Sequence, residues 1–337
     1  MLSKAPRGTK DITPKDVYKW HYVEKKFREI CALYGYEEIR TPIFEHTEVF
    51  ARSVGDTTDV VQKEMYSFTD RGDRQLSLKP EGTAGVIRSF IENKMYADTQ
   101  PTKLYYITPC FRYERPQAGR QRQFHQFGIE VLGSDGPSVD AEVISLAVQF
   151  FNEMGLKNLS VNINSVGCPT CREEYNRKLK EYLDKKVDVL CETCLERKDK
   201  NPMRVIDCKN PHCKENLQDI PFMIDHLCED CKDHFDKLQT YLKEMDINYV
   251  VDKTIVRGLD YYKKTAFEII SNDIGSQSTV CGGGRYDGLV EMLGGPKGIS
   301  GIGFALGAER LLLTLENNNI EIENPKSTDI YIATIGD

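Results

Sequence analysis

Near the start of the chain, Val17, Trp20, Phe27, Ile30 and Tyr34 recur at helical spacing. This predicts an amphipathic helix with one buried face. Thr13 is its cap, Pro14 its first position, Asp16 its first-turn acid and Gly35 its stop. Residues 36–45 (YEEIRTPIFE) then read as a strand, and Pro42 within it points to an edge or an interface. Residues 104–113 and 124–133 alternate with a period of two, which predicts a long hairpin. Residues 139–154 predict a helix closed by Gly155, and residues 159–166 (LSVNINSV) alternate again. From 249 to 303 strand-like runs broken by glycine return, among them GGGRYDG at 282–288, and residues 305–316 predict a helix. Residues 328–335 (TDIYIATI) read as the first strand of a further domain; a lone strand is marginal, so the chain reads as cut short. Helices and alternating strands together give a mixed α+β class.

Composition changes this picture in two places. A net charge of −7 argues against a protein that coats nucleic acid non-specifically, while leaving room for a local basic patch. The N-terminus, MLSKAPRGTKDITPKD, lacks the apolar core of a signal peptide, and no run of about 18 apolar residues occurs. The expected location is therefore the cytoplasm, with no membrane span. There the eleven cysteines should be thiols or metal ligands rather than disulfides.

Candidate chemistry concentrates at 111–133, FRYERPQAGRQRQFHQFGIEVLG. Arg112, Arg115, Arg120 and Arg122 fall within residues 112–122 with a single acid among them, Glu114. On the second strand Phe124, Gln126, Gly128, Glu130 and Leu132 share one face; His125, Phe127, Ile129 and Val131 share the other, which reads as core, with His125 structural. The first face sets an amide and a carboxylate beside a glycine, which leaves room for a ligand. Guanidinium forks suit a polyphosphate. The competing account is a solvated hairpin with surface salt bridges.

This segment resembles motif 2 of class II aminoacyl-tRNA synthetases, in the form found in histidyl-tRNA synthetases. RGLDYY (257–262) and GGGRYDG (282–288) resemble that family's two histidine signatures. GIGFALGAERL (301–311) resembles motif 3, LKPEGTA (78–84) the substrate loop, and Thr41-Pro42 the interface proline of motif 1. The resemblance implies a mostly antiparallel sheet flanked by helices, with the catalytic domain at 1–167 and 242–325, a small inserted domain at 168–241, and the start of an anticodon-binding domain at 326–337. It also implies a homodimer that uses histidine, ATP with Mg²⁺ and tRNA(His). In that reading Arg112 and Arg257 are catalytic, flanking the α-phosphate, and Arg257 takes over part of the work other class II enzymes give to magnesium. Glu114 accepts from the adenine amino group, Phe124 stacks on the ring, and Arg120 and Arg310 hold the outer phosphates. Glu81, Gly82, Thr83 and Gln126 receive the histidine ammonium end; Glu130 and Tyr262, with Tyr261 close by, receive the imidazole. Glycines 282 to 284 let the backbone approach the substrate.

At Cys168 the composition shifts to a Lys/Glu/Asp-rich stretch holding eight of the eleven cysteines: Cys168, Cys171, Cys191, Cys194, Cys208, Cys213, Cys228 and Cys231. Three CxxC knuckles and one looser pair suit two structural zinc sites; the other account is a set of small buried hydrophobes. Neighbouring pairs suggest 168/171 with 191/194 and 208/213 with 228/231, and a crossed arrangement is equally allowed. Residues 172–237 hold 14 basic and 16 acidic residues, so the segment is not a basic nucleic-acid module. By position, the resemblance puts it near the acceptor arm of the tRNA. The alternative to an enzyme is a non-catalytic relative that senses histidine, the regulatory subunit of ATP phosphoribosyltransferase. The arginine set argues against it.

Overall fold

A computed structural model describes residues 4–55, 58, 60–208, 210–256, 261–271, 279–325, 328–333 and 335. The first helix, α1 (Val17–Leu33), buries Trp20, Val23, Phe27 and Ile30 as the spacing predicts. It begins later than the cap signal suggests. Residues 14–16 form a turn, and the Thr13 carbonyl receives the Asp16 and Val17 amides at 2.9 Å each. Gly35 ends the helix at φ +75°, a conformation glycine adopts without a Cβ penalty.

The stretch after α1 is not one strand. Glu37–Glu38 (β1) joins the main sheet, whereas Phe44–His46 (β2) joins a second, three-stranded antiparallel sheet with β3 (Ser67–Thr69) and β4 (Gln75–Leu78). Thr41 and Pro42 lie between, where proline has no N–H to continue the ladder. Helix α2 (Thr47–Val54) connects β2 to β3, and α3 (Thr83–Glu92) follows β4.

The main sheet contains β5 (Thr102–Phe111), β6 (Gln123–Leu132), β7 (Leu159–Ser165), β8 (Tyr249–Val251), β9 (Lys263–Ser271), β10 (Thr279–Arg285) and β11 (Gly301–Gly307). Its order is β1-β5-β6-β11-β10-β9-β7-β8. The six inner strands pair antiparallel, and β1 and β8 pair in parallel at the edges. The helices are α4 (Pro137–Glu153), α5 (Pro169–Asp184), α6 (Glu192–Lys200), α7 (Pro211–Asn216), α8 (Glu229–Glu244), α9 (Leu289–Met292) and α10 (Ala308–Asn317).

One face of the sheet buries Phe127, Ile129, Val131, Phe267 and Phe304 against α1, α4 and α8. Each such side chain contributes about 1.5–3 kcal/mol. The other face carries a second core, in which Leu132, Tyr261, Tyr262 and Tyr286 join Tyr175, Leu179 and Leu183 of α5. The cysteine-rich stretch therefore packs on the polar side of the sheet, while its last helix, α8, sends Phe235, Leu238 and Leu242 into the first core. Residues 328–333 and 335 form no strand; Ile330, Tyr331 and Ile332 are exposed, with no partner strand among the described residues. No described helix is long and apolar enough to cross a membrane.

Candidate functional site

The β5–β6 hairpin turns its polar face into a cavity of about 240 Å³. Phe124, Gln126 and Glu130 line it from β6, while Phe127, Ile129 and Val131 sit in the core behind. Gly128 does not leave its space to a ligand. A Cβ there would come within 2.3 Å of the Tyr106 ring, and Tyr106 is its cross-strand partner. The aromatic ring fills the gap and reaches Glu130, donating its hydroxyl to Oε1 at 3.3 Å. The Tyr286 hydroxyl donates to Oε2.

Glu130 is buried, and desolvation pushes its carboxyl up to about 8 against the pull of these hydroxyls. Glu81 is a second buried carboxylate in the cavity. Its two oxygens receive the Thr83 and Ala84 amides, at 3.0 and 2.8 Å, where α3 begins. Burial raises its pKa too, opposed by those amides. Two desolvated carboxylates facing one cavity make it a receptor for a ligand carrying donors or positive charge at both ends.

Cationic groups line the same cavity. Arg112 donates Nε to the Pro80 carbonyl at 2.8 Å and lies 5.4 Å from the Phe124 ring centroid. Glu114 Oε2 is 2.9 Å from Arg120 Nη1, close enough for an ion pair but out of line for a hydrogen bond. That buried oxygen has no hydrogen-bond partner among the described residues. Arg310, in the first turn of α10, donates to the Thr279 carbonyl, and burial followed by repulsion from Arg120 lowers its pKa. The other two loop arginines differ from these. Arg122 stacks on Tyr113 at 3.8 Å and its amide bonds the Gly8 carbonyl, and neither it nor Arg115 lines the cavity.

The cavity thus brings together Glu81, Thr83, Arg112, Glu114, Arg120, Phe124, Gln126, Glu130, Tyr261, Tyr262 and Arg310. Gly82 is not in its wall; it donates its N–H to Gln126 Oε1 at 2.9 Å and so holds that amide. Arg257 lies outside the described residues. Of the three glycines at 282–284, only Gly282 lines the cavity. A Cβ at Gly283 would meet the Gly303 carbonyl at 2.3 Å, and one at Gly284 the Tyr262 ring at 2.9 Å, so these two admit the protein's own packing. His125 accords with its structural assignment, edge-on to Trp20 at 4.8 Å with Nδ1 2.9 Å from Glu309. Sequence reasoning missed Tyr106 and Tyr286. An aromatic opposite a strand glycine was the available signal for the first; the second lay unassigned inside GGGRYDG.

A family model described as histidyl-tRNA synthetase matches residues 8–311. The chain belongs to the histidyl-tRNA synthetase family. It is 81% identical to a histidine–tRNA ligase of Clostridioides difficile (strain 630) over its whole length, which spans 80% of that protein. The apo histidyl-tRNA synthetase of S. aureus shares 44% identity with a TM-score of 0.78, covering 95% of this chain and 75% of that one. An ATP phosphoribosyltransferase regulatory subunit/histidyl-tRNA synthetase of Bacillus halodurans shares the fold, with a TM-score of 0.68 at 23% identity over 94% of this chain and 83% of that one.

In this histidyl-tRNA synthetase family member all eleven cysteines are thiols. Eight of them form two clusters, and the pairing is nested rather than sequential. Cys168 and Cys171 meet Cys228 and Cys231, and Cys191 and Cys194 meet Cys208 and Cys213. The first turns of α5 and α8 come together, so the first and last knuckles share one cluster and the middle two pair between them. Within each cluster all sulfurs lie within 4.8 Å of one another. Cys168–Cys171 is 3.6 Å, and Cys168–Cys228 and Cys191–Cys208 are both 3.8 Å. Thiolates around a zinc ion at 2.3 Å would be about 3.8 Å apart. Backbone amides of Cys228 and Cys191 point at Cys171 and Cys213 sulfurs, at 3.1 and 3.2 Å.

Proposed function

We infer that the chain activates histidine with ATP and then transfers it to the 3′ end of tRNA(His). The observation that carries this reading is one cavity lined both by the buried carboxylates Glu81 and Glu130 and by the arginines Arg112, Arg120 and Arg310. A histidine carboxylate oxygen attacks the α-phosphorus, the bond to the bridging oxygen breaks, and pyrophosphate leaves. A ribose hydroxyl of the tRNA then attacks the acyl carbon, AMP departs, and the hydroxyl proton is lost. The first step needs no strong base, only positioning and cancellation of charge. Arg112 and Arg257 take the α-phosphate, and Arg120 and Arg310 the outer phosphates of ATP, which enters with Mg²⁺ as substrate. The orphaned Glu114 oxygen accepts from the adenine amino group, and Phe124 stacks on the ring. Glu81, Thr83 and Gln126, the last held by the Gly82 N–H, receive the ammonium end; Glu130, Tyr261 and Tyr262 receive the imidazole, and a ring lacking the two nitrogens gives the buried Glu130 no further donor beyond the Tyr106 and Tyr286 hydroxyls. Pyrophosphate exchange into ATP tests the reading: it should require histidine and be competed by histidinol. Histidine binding without exchange would instead favour a sensor.

The same reading gives each four-thiol cluster a structural Zn²⁺, supported by the sulfur spacing and the amides directed at sulfur. A cleft joining Arg112 and Arg120 to Arg197 and Arg204 beside the inner cluster is the approach assigned to the tRNA acceptor end. Residues 168–241 are its inserted domain, between the catalytic segments 1–167 and 242–325. Exposed Ile43, Phe44 and Phe68 on the small sheet support a homodimer there. Use of tRNA sets the reaction in the cytoplasm.

Glu130 adds a pH signature. An unfolded glutamate loses its proton near 4.5, whereas the folded, ligand-free protein keeps this one to about 8. Across that window the unfolded state binds fewer protons, so stability falls as pH rises and levels off above it. Urea midpoints of Glu130→Gln should show a shallower fall between pH 5 and 8 than the unsubstituted protein; parallel curves would refute the assignment.

A further inference from the structure

The outer cysteine cluster and the imidazole end of the cavity share a single side chain. Cys168 and Cys171 bracket the first turn of α5, where the Arg172 amide bonds the Cys168 carbonyl at 3.0 Å. From there the Arg172 guanidinium forks. Nε donates to the Val166 carbonyl at 3.0 Å, at the end of β7, and Nη2 donates to the Tyr262 carbonyl. The backbone reinforces this fork: Val166 N–H bonds the Lys264 carbonyl at 2.8 Å, and Lys264 N–H bonds the Gly167 carbonyl at 2.9 Å. Gly167, at φ +64°, turns directly under the cluster, where a Cβ would come 2.9 Å from Cys171 Cβ. Beyond the fork, the Tyr262 ring packs tilted against Tyr261 at 4.6 Å between centroids and Tyr261 lies edge-on to Tyr286 at 5.7 Å, whose hydroxyl holds Glu130.

We propose that a metal ion held by Cys168, Cys171, Cys228 and Cys231 sets the position of the imidazole-binding wall through Arg172, which makes Arg172 a positioning residue for histidine. This rests on the histidine-activating reading and on the zinc assignment above. The physical reason is that Tyr262 enters the cavity from a short stretch of backbone between Tyr261 and the first residue of β9. The Arg172 fork tethers that stretch to β7, and the fork is only as well placed as the first turn of α5. Two cysteines of that turn and two from the start of α8, joined at one ion, fix the turn from both sides. Among the described residues no comparable fork joins the imidazole-binding wall to the inner cluster. Its cysteines close the far end of the cysteine-rich stretch, on the arginine side of the cavity.

Four variants of the full chain separate the parts, each read by metal content and by histidine and ATP KM in pyrophosphate exchange. Arg172→Ala should keep two equivalents of zinc and raise the histidine KM roughly tenfold or more, with ATP KM changed less than about twofold, since supporting-shell losses run to roughly 10–100-fold. Arg172→Lys should recover only part, because a single ammonium cannot bond both carbonyls in a fixed fork. Cys228→Ser should lose one equivalent of zinc and reproduce the histidine KM defect. Cys213→Ser should lose one equivalent and leave histidine KM as it was. The proposal is overturned if the purified protein holds no metal, if Arg172→Ala leaves histidine KM unchanged, or if both KM values rise together. Should the unsubstituted chain show no exchange, the functional reading fails on its own. Histidine affinity by titration calorimetry then replaces KM, and equal affinities of Arg172→Ala and the unsubstituted chain would overturn the clamp separately.

Discussion

Arg112→Ala is expected to lower the kcat of histidine-dependent pyrophosphate exchange by about 10²–10³-fold, equivalent to about 3–4 kcal/mol of transition-state stabilisation. As the carboxylate attacks, charge builds on the α-phosphate oxygens, inside a cavity where water screens it little. Arg112 is already oriented for this. Its Nε is fixed on the Pro80 carbonyl and its guanidinium lies beside Phe124, so little rearrangement is needed when the charge develops. Because the interaction strengthens in the transition state, kcat should fall much further than either KM rises. Arg112→Lys should recover less than a tenth of the lost rate, since an ammonium cannot keep the Pro80 bond and meet two phosphate oxygens together. Arg112 sits at the end of β5 with its side chain 22% exposed, so neither change should unfold the protein. An unchanged melting temperature would establish that. A kcat within fivefold of the unsubstituted value would remove Arg112 from the reaction.

Periodicity carried most of the fold because the sheet has one core face and one polar face. Phe127, Ile129 and Val131 alternate with Gln126 and Glu130, and a one-residue slip would have reversed every side chain. The stretch at 36–45 misled for a local reason. It alternates like a strand, but Thr41-Pro42 hands it from one sheet to another, and which sheet receives it is decided by tertiary pairing with β4 and β5. Residues 328–333 form no strand, in keeping with strand propensity needing a neighbouring strand to pair with. Arg112, Glu114 and Arg120 were legible because the charge cluster occurs in an acidic chain, yet Arg115 and Arg122 looked the same and leave the cavity. Turn geometry separates them, with Gln117 and Arg120 bonded to each other across the tip. Spacing grouped eight cysteines as candidate ligands but not their nesting, in which the first turns of α5 and α8 meet.

Asp140→Ala is expected to cost about 3–5 kcal/mol of folding stability, the usual consequence of leaving one charge of a buried pair uncompensated. Arg285, inside GGGRYDG, is fully buried, and its five N–H groups all find acceptors. They meet Asp140, the Ser134 carbonyl at 2.9 Å, the Gly136 carbonyl at 3.2 Å and Asp287 at 3.2 Å. Asp140 also receives His234 Nε2 at 2.8 Å and the Thr265 hydroxyl at 2.5 Å. One carboxylate therefore joins α4, β9, β10 and α8, and it ties the helix that returns from the cysteine-rich stretch to the sheet beneath the cavity. Burial alone would raise its pKa; the His234 hydrogen bond and the Arg285 charge hold it below the ordinary aspartate value. Its contribution is thus present above the unfolded pKa of about 3.9 and lost as pH falls through the lower, folded one, which places it on the acid limb of the stability curve. Replacing both partners by apolar residues, Asp140→Leu with Arg285→Met, should restore only part of the loss. The pair could be exchanged for packing, but the Ser134 and Gly136 carbonyls and the His234 ring would still lack their partners. Urea midpoints at constant m would measure both, and a double variant as stable as the unsubstituted protein would show that the pair, rather than the whole network, holds these four elements together.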